Sequence, residues 1–153
     1  MAILTVNSDL LTPGYPALTA KADGDLRCFV FTMPIPVQAD IGSTLRLCRV
    51  PQHAVLLPNL SWIQCTALAL LTVSLGWEAY LDETTKLMVP ASPTGLGTTL
   101  TIAAGTPVLF SSFPAAPLPR TFAGNAVLTA LTAGANITAG LTVAGAVSYA
   151  FYG

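Results

Sequence analysis

The stretch LTVAGAVSYAF, from Leu141 to Phe151, sets Leu141, Val143, Val147, Tyr149 and Phe151 on one side of a two-residue period. Thr142, Ala144, Ala146, Ser148 and Ala150 fall on the other side. That alternation predicts a half-buried strand, with Gly145 as a bulge or a point of close approach. A second alternation runs upstream: Val73, Leu75, Trp77, Ala79 and Leu81 against Thr72, Ser74, Glu78 and Tyr80. A helix would scatter these large residues around its circumference.

Working outward, the same logic predicts strands over Ala2 to Val6, Arg27 to Met33, Thr44 to Val50, Ala54 to Leu57, Thr98 to Ala103, Pro107 to Ser111, Ala126 to Leu131 and Ile137 to Thr138. Leu60 to Leu71 reads as one strand and a bend, and Asp82 to Met88 allows one helical turn. Asp23-Gly24-Asp25 and Asp40-Ile41-Gly42-Ser43 supply turn chemistry. Turn signals recur at roughly 8–12 residues, the spacing of a sandwich or a barrel. The chain reads as one domain over 1–153. Pro13, Pro16, Pro34 and Pro36 make 1–36 a candidate N-terminal arm or edge hairpin, and 113–119 (FPAAPLP) reads as a stiff, Pro-rich connection.

Charge bounds the function. Six Lys and Arg and seven Asp and Glu make 8% of the chain, and none lies beyond Arg120. An ordinary soluble domain carries roughly 25%. A surface this poor in charge is tolerable when much of it is buried against other subunits, so the chain reads as an assembly component. The net charge of −1 gathers neither nucleic acid nor an acidic membrane. Arg46 and Arg49, three apart on a strand, are expected on opposite faces rather than in a basic stripe. No basic and apolar leader opens the chain, so no signal peptide is expected. Ile63 to Trp77 is too short for a spanning helix, and Thr121 to Gly153 is too rich in Gly, Ala and Thr. No membrane partner follows.

Catalytic and metal chemistry find little support. Cys28, Cys48 and Cys65 are widely spaced, and His53 is the one histidine. Zinc sites want four closely paired ligands, so three core thiols in a reducing cytosol are expected. His53 lacks a nucleophile motif beside it and reads as a strand-end residue. Asp23 with Asp25 and Asp82 with Glu83 are turn carboxylates without a sugar cleft around them. Gly95-Leu96-Gly97 lacks the third glycine of a dinucleotide loop. Asn59 and Asn136 open sequons that match by chance. No catalytic residue, cofactor or metal is expected, and the chain is read as not an enzyme. Trp77 and Phe151 belong to the core. Tyr80 and Tyr152, on the other sides of their strands, are candidate interface residues. Pro114, Pro117 and Pro119 join them, as groups able to reach a neighbour.

Three segments carry a resemblance: ADIGSTLRLCRVPQHAVLLPNLSWIQ (Ala39 to Gln64), TVSLGWEAYLD (Thr72 to Asp82) and LTAGANITAGLTVAGAVSYAFY (Leu131 to Tyr152). Together they resemble small structural proteins of tailed bacteriophages. The shared features are an acidic turn leading into strand, arginine, strand and proline, a middle strand ending near a glycine–aromatic pair, and a C-terminal glycine turn with an alternating strand ending in Tyr. The resemblance implies an antiparallel two-sheet sandwich with jelly-roll character. It also implies a capsid decoration, or cement, protein on the virion surface, assembled in the host cytoplasm. Its partners would be itself, as a homotrimer, and the major capsid protein. The alternative is a trimeric head, neck or fibre module that recognises a host surface or another virion protein. Thr121 to Gly153 departs from the pattern in its lack of charge.

Overall fold

The computed structural model describes residues 3, 5–8, 26–66, 71–115, 119–134 and 136–151. Among them run β1 (Thr5–Asn7), β2 (Leu26–Pro34), β3 (Thr44–Val50), β4 (Ala54–Leu56), β5 (Trp62–Cys65), β6 (Leu71–Trp77), β7 (Tyr80–Leu81), β8 (Met88–Val89), β9 (Ser92–Ile102), β10 (Val108–Leu109), β11 (Arg120–Thr121), β12 (Ala126–Ala133) and β13 (Thr142–Phe151). One 3₁₀ turn, Phe110–Ser112, interrupts them. The fold is an all-β sandwich. Asp23-Gly24-Asp25, Pro117 and Tyr152 lie outside the described residues.

Sheet I has the order β1-β3-β12-β6-β9, and sheet II the order β10-β5-β13-β4-β11 with β2 on the free side of β13. The two C-terminal long strands each insert between early ones, β12 between β3 and β6, β13 between β2 and the β4/β5 pair. Pairing is antiparallel except for β1 on β3, which is parallel. Leu45, Leu47, Val73, Leu75, Leu128 and Ala130 from sheet I meet Phe31, Met33, Ile63, Val143, Val147 and Tyr149 from sheet II in one apolar core.

The C-terminal alternation holds on the inward side, where Val143, Val147, Tyr149 and Phe151 are buried. Gly145 keeps register with both neighbours and is a point of close approach rather than a bulge. A Cβ there would fall 2.4 Å from the Trp62 carbonyl oxygen and 2.6 Å from the Phe31 ring. Ala146, Ser148 and Ala150, on the outward side, are buried as well, because such short side chains sit below their neighbours on β2, β4 and β5.

The bulge lies elsewhere. Along β12, Val127 faces Arg49 and Leu128 faces Cys48, but Thr129 faces Arg46, so Leu47 is the extra residue. Its carbonyl accepts the Ser8 hydroxyl, and Ser8 N–H donates to the Arg46 carbonyl at 2.9 Å. One inserted residue shifts the two-residue period by one. Arg46 and Arg49 therefore share the outer face of sheet I, contrary to the strict alternation expected of them.

Two other expectations change. The alternation through β6 ends at Trp77: Tyr80 turns inward at 6% exposure, while Ala79 and Leu81 face solvent. β6 ends at Trp77; Glu78 N–H still bonds the Val127 carbonyl of β12 at 3.0 Å, and the two-residue period is lost between there and Tyr80. The segment from Asp82 to Met88 is a hairpin turn between β7 and β8 rather than a helical turn. The Asp82 carboxylate accepts the N–H groups of Thr84 and Thr85 at 2.8 and 3.0 Å, and Lys86 closes the loop with φ +59°.

Candidate functional site

The two outer faces of the sandwich differ in chemistry. On sheet I, Arg46 donates through Nη2 to Glu78 Oε2 at 2.8 Å and through Nη1 to Asn7 Oδ1 at 3.2 Å, and its Nε lies 2.8 Å from Glu78 Oε1 within the same ion pair. The ion pair reaches across β12, which lies between β3 and β6. Arg49, exposed, stands on the same face, beyond Val127. Thr72 and Thr101 bond through their hydroxyls at 2.9 Å across β6 and β9. This face carries the charged groups of the sandwich's two outer faces.

Sheet II presents the opposite. Its register defines one outward row, Leu109–Trp62–Ala146–Val30, and a second, Thr121–Val55–Ala150–Leu26. Val30 is 64% and Leu26 59% exposed. Ser148 and Cys28 lie between the rows, and Gln64, Ala144 and Thr32 flank them. Among the described residues, no charged side chain occupies an outward register position on sheet II. Arg27 and Arg120 pair with Tyr149 and Leu56, whose positions face inward.

The relief of this face follows from its sequence. Ala144, Ala146, Ser148 and Ala150 form the floor along β13. The flanking side chains close over it: Ala146, Ser148 and Ala150 are buried, while Leu26 and Val30 on β2 stand clear. Leu60, beside the floor, is also exposed, held there by Ser148 Oγ donating to its carbonyl at 2.9 Å.

A second apolar feature is the β7–β8 hairpin. Leu81 and Met88 form a cross-strand pair pointing outward, with Leu87 beside them; Leu87 is 68% and Met88 63% exposed. Its charges are internally engaged: Lys86 pairs with Glu83 at 2.9 Å, and Asp82 is held by backbone N–H groups that pull its carboxyl below the usual range. The hairpin base is pressed onto the segment before β12. Glu83 N–H donates to the Ala123 carbonyl at 3.0 Å, and a Cβ at Gly124 would meet the Leu81 carbonyl oxygen at 1.8 Å.

The interface candidates read from sequence scatter. Tyr80 is packed edge-on against Phe122, centroids 5.8 Å apart, so its ring belongs to the interior. Pro114 is exposed, and its carbonyl accepts both the N–H and the hydroxyl of Thr98, at 2.8 and 3.0 Å. Pro119 is exposed beside β11. Arg120 lies 3.8 Å over the Trp77 ring, a cation–π contact at the edge of the core. His53 is exposed at φ +63°, a turn residue whose N–H bonds the Phe122 carbonyl at 2.8 Å. Of the three thiols, Cys48 and Cys65 are buried, but Cys28 is exposed on sheet II, which corrects the expectation of three core cysteines. The described residues hold no cluster of three metal-ligating side chains, and no helix among them is long and apolar enough to cross a membrane.

Sequence reasoning predicted a strand over Arg27 to Met33 without assigning its faces, so sheet II's outer face went unread. A signal was available: RCFVFTM is apolar on both sides of its period, and only one side can face inward.

No protein-family model matches the chain. No curated protein matches it either. Among solved structures, its fold is similar to a chain in the capsid of Ralstonia phage GP4, with TM-score 0.60 and 16% identity over 97% of this chain and 99% of that one. A chain of the cyanophage Pam1 capsid is similar at TM-score 0.45 and 14% identity, covering 92% and 99%. The first likeness fixes the class by fold: an all-β sandwich of the kind found in a phage capsid, matched end to end.

Proposed function

We propose that this chain is a bacteriophage capsid decoration, or cement, protein. It binds the assembled head shell, contacts the major capsid protein and its own copies, and stabilises the shell by burying apolar surface between subunits. The observation that carries this reading is the fold shared over nearly the full length of both chains with a component of a phage capsid. The composition supports it, because a surface so poor in charge is suited to permanent contacts. The uncharged outer face of sheet II supplies such a surface. The protein acts as a homotrimer on the outside of the virion and is assembled in the host cytoplasm. The function requires no reaction and no cofactor.

The test uses heads of a phage that encodes this chain, prepared without it. Added protein should co-sediment with the heads at a fixed stoichiometry and raise their disruption temperature. Free protein that ignores heads but binds host cell surfaces or an isolated neck or fibre protein would replace this reading with the alternative, a trimeric recognition module.

A further inference from the structure

We propose that the open edge of β2 is a docking site for a second copy of this chain: two β2 strands pair antiparallel across a two-fold axis at Cys28 and join the two copies' sheets II into one. This contact goes beyond the function proposed above and does not rest on it.

The bonding of β13 decides which side of β2 is open. The Thr142 and Ser148 carbonyls accept the N–H groups of Thr66 and Leu57, and Ser148 N–H donates to Ser61 Oγ. The even-numbered residues of β13 therefore bond toward β4 and β5. Its odd-numbered residues bond toward β2, where their register partners are Met33, Phe31, Phe29 and Arg27. Ile35 N–H, donating to the Leu141 carbonyl at 2.8 Å, keeps the same parity. The intervening residues of β2, from Leu26 through Cys28 and Val30 to Pro34, turn their backbone groups the other way. Among the described residues no strand pairs with that side. Pro34, which has no N–H to offer, sits where an edge strand tolerates proline.

An edge with unpaired backbone groups is a template for another extended strand. A second copy fits it. Thr32 is already engaged, so the free stretch is Leu26–Val30, and its middle is Cys28. Pairing about that residue sets Cys28 opposite Cys28 and Leu26 opposite Val30 of the second copy. Both aliphatic side chains are more than half exposed in the single chain, and each covers the other in the pair. Arg27 falls opposite Phe29 of the second copy rather than opposite another Arg27, so no like charges face each other. A two-fold axis does not pass between members of one three-fold ring. In a layer of trimers this contact therefore links copies of neighbouring trimers.

The test reads Cys28, which lies at the axis. Directly opposed, hydrogen-bonded residues have Cα atoms about 5.5 Å apart. Dibromobimane fluoresces once it has bridged two thiols, and Cys48 and Cys65 are buried. The unaltered protein should give a fluorescent covalent dimer on a denaturing gel, its yield rising with protein concentration, and Cys28→Ser should abolish it. Val30→Pro removes an N–H on the open side and none of those bonded to β13. It should cut the dimer yield by roughly ten-fold or more, because a ring replaces a ladder donor in each strand. Near-ultraviolet circular dichroism should be unchanged. Leu26→Pro, at the first position of the strand, serves the same purpose should Val30→Pro fail to fold. Arg49→Glu, on the outer face of sheet I, should leave the yield as it was.

Absence of the Cys28-bridged dimer, both in solution and on heads, would overturn the inference. A folded proline variant that bridges as well as the unaltered chain would overturn it too, since sheet faces stacked on one another need no edge N–H. Protein that binds and stabilises heads without bridging would remove this contact and leave the proposed function standing. Protein that bridges but ignores heads would do the reverse.

Discussion

At the scale of single residues, two side-chain environments make opposite predictions. Gly145 has no room for a methyl group: the Trp62 carbonyl and the Phe31 ring occupy the space. Gly145→Ala should destabilise the fold by about 1–3 kcal/mol, read as a lower urea midpoint. Tyr149 is fully buried, stacked on Phe29 at 5.6 Å, and its hydroxyl has no hydrogen-bond partner among the described residues. Tyr149→Phe should raise stability by on the order of 1 kcal/mol, since the orphaned hydroxyl is removed and the ring packing kept. The same residue shapes the alkaline limit. Burial pushes its pKa from 10.0 up to about 12, and burial also raises Cys48. The unfolded chain releases these protons first, so their contribution is whole at neutral pH and declines once pH passes the ordinary thiol and phenol values. Denaturation between pH 9 and pH 12 should show that decline, and Tyr149→Phe should lessen it.

At the scale of elements, the join between β4 and β5 is tied directly to β13. Both strands pair with β13, and the loop between them passes Ser148. Ser61 Oγ accepts Ser148 N–H and donates to the Leu57 carbonyl, each at 2.9 Å. Ser61→Ala would strand a buried N–H in the middle of the central strand. A loss of about 1–3 kcal/mol is expected, visible as a lower melting temperature. The β7–β8 hairpin is held differently, by Asp82 accepting two N–H groups in its own turn. Asp82→Ala should speed amide exchange at Thr84 and Thr85 while leaving core amides unchanged. Protonation should act alike: the carboxyl is held below its ordinary range, so its help is present at neutral pH and is lost as pH falls through that lowered value.

At the scale of the whole molecule, the sandwich is two-faced. Sheet I turns an Arg46–Glu78–Asn7 network and Arg49 outward, and sheet II turns Val30, Leu26, Trp62 and Leu109 outward. A molecule with one wet face and one uncharged apolar face is oriented by any shell it joins. One Cys reports on that orientation. In the dilute folded protein Cys28 alone among the three thiols should react promptly with a thiol reagent, and in unfolded protein all three should. Attachment to heads by sheet II should suppress the prompt reaction. Attachment by sheet I should leave it.

The sequence by itself determined the strand-rich class and most of the strands. The bounds of β3 were legible, and the inward side of the C-terminal strand could be read residue by residue, because its large apolar groups recur at every second position and must be buried. It also determined that the surface would be short of charge. Only the tertiary structure decided where that alternation fails: the Leu47 bulge that joins Arg46 to Arg49, the break after Trp77 that buries Tyr80, and the turn that makes 82–88 a hairpin. The first two involve residues distant in sequence, Ser8 at the bulge and Val127 beside Glu78, whereas the 82–88 turn is made locally by Asp82 and only its base bonds a distant residue, Ala123. Period-2 patterns show which residues share a face. They do not say which of two apolar faces is covered, and that choice at β2, made by how two sheets stack, leaves Leu26 and Val30 facing outward.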